Sequence, residues 1–330
     1  MILLQAVRIA KSFGARRVLN NVNLIIQEGE RAGIVGVNGA GKSTLLKIIT
    51  GALSPDAGEV IKAKDISVSY MAQDGGLESG QSIWHEMLSA FTHLIGLEQQ
   101  LREMEKRMGD PTVMADGKQY RQLLRDYDSL SADFENKGGF EYEANIRGVL
   151  HGLNFRDMDY NTPVNILSGG QKTRLALARC LLGAPDILIL DEPTNYLDMD
   201  NLTWLEQYLQ SYRGAVLVVS HDRYFLDTLT KVIYDLDNGG ITRYTGNYTG
   251  FIRQKKEMQE QQLKAYKKQQ EEIARTEEFV RRNIAAKDTT RRAQSRLKTL
   301  EKMERVTRAG ERTQGKRFFL CCPAKRAGSA

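Results

Sequence analysis

Two short runs carry the residue types that could do chemistry. Residues 36–44 read GVNGAGKST, which puts Gly36, Gly41, Lys42 and Ser43 at the spacing of a phosphate-binding P-loop, after an apolar strand-like run and before an apolar helical pattern. Glycines let backbone N–H groups turn inward onto phosphate oxygens, and the N-terminus of the following helix adds partial positive charge. Lys42 would reach the β- and γ-phosphates of a nucleoside triphosphate and Ser43 would ligate Mg²⁺, with Asn38, Gly39 and Thr44 completing the loop. The second run, ILILDEPTN at 187–195, is an apolar strand ending in paired acids. Asp191 would hold Mg²⁺, and Glu192 would orient or deprotonate an attacking water.

These residues need a scaffold that brings distant segments together, and the pattern supplies one. Residues 2–7 and 22–26 read as short strands separated by the turn-rich SFGARR, and 31–35 reads as a buried strand feeding the loop and a helix at 42–49. A strand at 66–70 is followed by long polar stretches with helical spacing at 82–108 and 116–137, joined around GDPT, which predict a helical hairpin inserted into an α/β domain. Strands return in DILILD, AVLVVS, VIYDLD and GITRYT, and the domain is expected to close near residue 250 with its helical subdomain at about 77–150. The length suits two domains, or one with large additions.

Charge divides the chain again. Residues 1–251 hold 25 Lys and Arg against 31 Asp and Glu, whereas residues 252–330 hold 22 against 10. Residues 251–307 contain no glycine or proline, and apolar residues recur with heptad-compatible spacing at Leu263, Tyr266, Ile273, Val280 and Ile284, then at Ala293, Leu297 and Leu300. Two antiparallel helices are expected, with Asp288 as an N-cap and a basic tip formed by Arg281, Arg282, Lys287, Arg291, Arg292, Arg296 and Lys298. One long solvated helix is the alternative, since Gln270 and Glu277 interrupt the seam. The tail at 308–330 leads into no new strand pattern and is expected to be a disordered or truncated end.

No apolar run approaches the ~20 residues of a membrane helix, and MILLQAV makes a poor signal peptide, so the cytoplasm is the expected location. Cys180, Cys321 and Cys322 have neither disulfide nor metal-ligand spacing.

LSGGQ at 167–171, in a chain with both phosphate motifs in order, resembles the signature of ATP-binding-cassette ATPases. Gln73 in SYMAQD resembles the family's Q-loop, residues 195–198 its D-loop, His221 in VVSHD its switch histidine, and Phe13 in KSFG the aromatic that stacks on adenine. The resemblance implies a P-loop α/β fold that binds and hydrolyses ATP, with Ser43, Gln73 and Asp191 on Mg²⁺ and Glu192 and His221 catalytic. It also implies that Ser168, Gly169, Gly170 and Gln171, at the start of a helix near Gln171, cap the γ-phosphate held by a second cassette. That second cassette would come from a homodimer or from a longer chain.

The 93 residues between Gln73 and Leu167, with the charged helical segment 251–307, resemble the arm and interdomain linker of the ABC-F family of ribosome-associated ATPases. That implies a role in translation, with the basic tip reaching ribosomal RNA or tRNA through salt-sensitive phosphate contacts. The stretch YNTPVNILSGGQ lacks the TEVGERG-like segment of exporter subunits. Two features depart from ABC-F: Tyr196 replaces the usual histidine of the D-loop, and the family continues into a second cassette. A transporter's nucleotide-binding subunit with a separate membrane partner, and a non-catalytic nucleotide-binding fragment, remain alternative readings.

Overall fold

The structure, a computed structural model, describes residues 1–72, 77–283, 295, 296, 298–300 and 303. Strands β1 (Ile2–Phe13) and β2 (Arg16–Gln27) pair antiparallel around a turn of two residues, Gly14 and Ala15. The six-residue turn expected at SFGARR is therefore shorter: the ladder continues through polar residues, with Ser12 opposite Arg17 and Phe13 opposite Arg16. Strand β3 (Arg31–Val35) feeds the glycine-rich loop and α1 (Lys42–Thr50). Strand β4 (Ala57–Lys62) joins the far edge of β1. Its residues are exposed apart from half-buried Val60, so it carries no hydrophobic alternation that a sequence reading could catch. Strand β5 (Val68–Met71) follows.

Helices occupy the next stretch: α2 (Ile83–Leu88), α3 (Thr92–Met108), α4 (Pro111–Ala115), α5 (Gly117–Asn136), α6 (Tyr142–Gly152) and α7 (Gly169–Leu182). The inserted hairpin is present as α3 against α5, running antiparallel with Tyr127 donating to Glu105 at 2.8 Å and Lys137 lying 3.1 Å from His93. Its small core is Leu94, Leu97, Leu101 and Phe134. A 3-10 turn at Ser89–Phe91 separates α2 from α3, where one helix from 82 was expected. Asp110, in GDPT, caps α4 by accepting from the Thr112 N–H at 2.8 Å, and Asp116 caps α5.

Strand β6 (Ile187–Asp191), α8 (Met199–Ser211), β7 (Ala215–Val219), α9 (Arg223–Leu229), β8 (Val232–Asp237) and β9 (Gly240–Thr245) complete the domain. The main sheet runs in the order β5-β6-β7-β3-β8-β9, parallel except for β9. Both faces of a parallel sheet must be covered, which explains why its strands read as continuous apolar runs. Ile187 and Ile189 pack with α1 and the β1/β2/β4 sheet, while Leu188 and Leu190 pack with α7, α8 and α9. In β7, Leu217 and Val219 face the first core, and Val216 and Val218 the second. Arg31 is buried and unpaired with any carboxylate among the described residues. Its guanidinium donates instead to the Leu209 carbonyl at 2.8 Å and the Gly214 carbonyl at 2.7 Å, tying the end of α8 to β3.

The chain divides into two units at Thr249 and Gly250. Helix α10 (Tyr248–Asn283) carries most of the described part of the second. Beyond its first turns, where Phe251 is buried, Gln262, Tyr266, Gln269, Ile273, Thr276 and Val280 are less exposed at alternating intervals of four and three, with Phe279 half-buried beside Val280. The heptad stripe is thus present, with Tyr266, Ile273 and Val280 on it as expected, whereas Leu263 is exposed, and Gln270 and Glu277 lie off the stripe rather than interrupting it. The Arg296 guanidinium lies 4.0 Å from the Phe279 ring centre, so the chain returns alongside α10. Ile284, Lys287, Asp288, Arg291, Arg292, Ala293, Leu297 and the tail fall outside the described residues.

Leu217 is fully buried in a central strand, so Leu217→Ala should cost about 2–5 kcal/mol in urea unfolding. Leu263→Ala, on the exposed side of α10, should stay within about 0.5 kcal/mol.

Candidate functional site

Parallel pairing fixes where the chemistry collects. Strands β6, β7 and β3 are neighbours in register, so Asp191 lies beside Val219 and Ile34 beside Val219 on its other side. The loops leaving these three ends, starting at residues 36, 192 and 220, therefore emerge along one edge, the usual ligand-binding edge of an open parallel sheet. A cavity of 540 Å³ opens there, lined by Phe13, Arg16, Val18, Asn38, Gly39, Gly41, Lys42, Ser43, Thr44, Asp191, Glu192, Asn195 and His221.

The phosphate loop depends on two glycines. A Cβ at Gly36 would lie 2.5 Å from the Leu236 carbonyl oxygen, and one at Gly41 would lie 2.6 Å from Val18 Cγ1. Gly41 also takes left-handed backbone, φ 104°, as the N-cap of α1, and no side chain occupies the first-turn N–H groups. Gly41, Lys42, Ser43 and Thr44 line the cavity, and a helix N-terminus with free donors is a ready anion site. Lys42 Nζ donates to the Gly36 carbonyl at 2.9 Å, which holds the ammonium over the loop.

Opposite the loop, the acid pair differs in setting. Asp191 is buried, with the Tyr70 hydroxyl 3.4 Å from Oδ2. Glu192, also buried, takes left-handed backbone at φ 53°, a conformation that costs about 1–3 kcal/mol for a non-glycine residue and is found at functional sites. Its Oε2 accepts the backbone N–H of His221 at 3.2 Å, and His221 Nε2 lies 3.4 Å from Oε1. Oε1 makes no hydrogen bond among the described residues. Burial, aided by the neighbouring Asp191 charge, pushes the Glu192 carboxyl above the ordinary range, although the His221 N–H, His221 and Lys42 favour the anion. The upward shift makes the carboxylate a stronger base than an ordinary exposed one. His221 is held by its flanks: Ser220 Oγ accepts from the Asp222 N–H at 3.0 Å, and Asp222 caps α9.

Ser43 and Asp191 face one cavity, and loop donors, lysine and acids there fit a Mg²⁺-bound nucleotide. Mg²⁺ keeps several waters and phosphate ligands and needs few protein ones.

The predicted site residues fall into three groups. Phe13, Asn38, Gly39, Gly41, Lys42, Ser43, Thr44, Asp191, Glu192 and His221 meet at the cavity, with Gly36 supporting it from behind. Ser168, Gly169, Gly170 and Gln171 do not line it. They form the start of α7, which begins at Gly169, close to the start expected near Gln171. The reason is a capping box: Ser168 Oγ accepts from the Gln171 N–H at 3.3 Å and Gln171 Oε1 accepts from the Ser168 N–H at 2.9 Å. Gln73 lies outside the described residues. Arg16 and Val18 line the cavity but were given no role by sequence, because only the β1/β2 register reveals that they face it.

Fold and site together define a P-loop nucleotide-binding domain. The ABC transporter family model matches residues 19–195, and a second model described as ABC transporter matches 234–319. The chain belongs to the ABC transporter family. It is 51% identical to the ATP-binding protein YdiF of Bacillus subtilis, over 92% of this chain and 47% of that protein. It is 34% identical to ABC transporter F family member 5 of Arabidopsis thaliana, over 94% of this chain and 45% of that protein. The chain thus spans about half the length of these relatives. A solved ATP-binding subunit of an ABC transporter shares the fold at TM-score 0.54 and 19% identity, covering 74% of this chain and 90% of the subunit. No helix among the described residues is long and apolar enough to cross a membrane.

The raised Glu192 pKa has a stability consequence. Native protein holds that proton more tightly than the unfolded chain, so ionising the carboxyl costs the fold as pH rises past about 4.3, the unfolded value, through the higher folded one. Glu192→Gln should therefore raise the Tm of the nucleotide-free protein at pH 7.5, and the gain should vanish near pH 4. A Tm difference constant with pH would speak against it.

Proposed function

We propose that the chain binds MgATP in this cavity and hydrolyses it when paired with a second cassette, as an ABC-F-type protein acting on the ribosome. For the nucleotide part, the observation that carries the reading is the convergence of Lys42, Ser43, Asp191, Glu192 and His221 on one cavity. Phe13 would stack on adenine, loop N–H groups from Gly39 to Thr44 and Lys42 would hold the phosphates, and Ser43 and Asp191, with Gln73, would hold Mg²⁺. Bound Mg²⁺ neutralises developing charge on the phosphates. Glu192 takes a proton from the attacking water, and His221 holds the carboxylate and reaches toward the γ-phosphate. Each of these contacts stabilises charge where it develops, in a partly dry site.

The signature supports pairing. Its capped helix start presents N–H groups and a positive helix end, yet it lies away from the cavity of its own chain. A second copy, or a second cassette in a longer chain, would bring that end to the γ-phosphate. The ribosome part rests on likeness to an ABC transporter F family member, on the inserted α3/α5 hairpin and on the basic second unit. Arg281 and Arg282 end the described part of α10, and Arg296 returns beside it. Phosphate contacts from such a cluster would not discriminate bases.

Glu192→Gln, expected to bind ATP without turning it over, should cosediment with ribosomes in MgATP at 50 mM salt and be released at 300 mM. Absence from the ribosomal fraction at low salt would remove the ribosome part, and recovery with membranes would favour a transporter subunit.

A further inference from the structure

We propose that Arg16 is a nucleotide-binding residue that grips the diphosphate portion common to ATP and ADP. The proposal rests on the reading of the cavity as a nucleotide site. Arg16 stands directly opposite Phe13 across the β1/β2 turn, and directly opposed residues in an antiparallel pair project to the same face. Both line the cavity. Arg16 Nη2 donates to the Gly39 carbonyl at 3.3 Å, so the guanidinium sits against the phosphate loop, while exposed Phe13 lies across the ladder from it. Among the described residues it meets no carboxylate. One donor holds Gly39, which leaves the rest of the fork for an anion, and Arg and Lys42 are the two long cations on a wall that otherwise carries Asp191 and Glu192.

Position sets which part of the nucleotide Arg16 meets. The base lies at Phe13, and the γ-phosphate lies toward Glu192 and His221 at the opposite acid pair. Arg16, bonded to the loop between these ends, meets the phosphates in the middle. The hairpin turn thereby acts as a two-pronged clip, with a ring for the base and a fork for the polyphosphate. Bidentate contacts of this kind suit arginine's planar donor set.

The test is displacement of a fluorescent ATP analogue from the full chain by ATP, ADP and AMP, with Mg²⁺ and without turnover. Arg16→Ala should weaken ATP and ADP together by about tenfold, the scale of a charge-assisted hydrogen bond, and leave AMP within about twofold. Phe13→Ala should weaken all three. Arg17→Ala, whose side chain is exposed and does not line the cavity, is the control and should change none. Unchanged Tm and circular dichroism certify folding. Unaltered ATP and ADP affinity in Arg16→Ala, or an equal loss for AMP, overturns the proposal while the nucleotide site stands. An unmodified chain that fails to bind MgATP removes the nucleotide site and this proposal together.

Discussion

Three neighbouring parallel strands, β6, β7 and β3, end at one edge of the sheet, and everything chemical in the first unit depends on that shared edge. Residues 36, 192 and 221 are far apart in the chain. Parallel register alone brings the loops that contain them into one cavity. The register is in turn held by burial on both faces, because a slip of one residue in β6 would exchange Ile187 and Ile189 with Leu188 and Leu190 between two separate cores. Packing thus fixes the geometry of a polar site that would otherwise repel itself.

That self-repulsion is visible in the acid pair. Asp191 and Glu192 are adjacent, buried and of like charge, and Glu192 also sits in left-handed backbone. The fold tolerates this because the Val219 carbonyl accepts the Glu192 N–H at 2.8 Å and the His221 N–H donates to its carboxylate. Such local cost, offset by the surrounding strands, is characteristic of functional sites. Tyr196 fits the same pattern. It also adopts left-handed backbone, φ 68°, and its ring is the nearest neighbour to the Cα face of Gly170, so the loop after the acids lies against the signature helix start.

How much of this could be read from sequence follows from what each element demands. The phosphate loop and acid pair were legible because their chemistry fixes both residue type and spacing. The parallel strands were legible as unbroken apolar runs. Arg16 was not, because its role depends on a turn of two residues where six turn-like residues invited a longer loop. Strand β4 was missed because its ladder is held by backbone bonds on an exposed edge, with little burial to leave a pattern. The stripe on α10 was legible at Tyr266, Ile273 and Val280 but not at Gln262, Gln269 and Thr276, seam positions that composition marks as polar. The start of α7 was legible at the signature, and the capping box that makes it is Ser168 and Gln171, three apart.

The central claim is that phosphate loop and signature act on one nucleotide only when they come from different cassettes. Two inactive variants decide it: Lys42→Ala, which removes the loop cation, and Ser168→Arg, which blocks the signature. If the unmodified chain hydrolyses ATP as a pair, each variant alone should be inactive, and mixing them should restore activity, because one mixed site keeps an intact loop and an intact signature. Full activity of Ser168→Arg by itself would contradict the account, since the site would then be complete within a single chain.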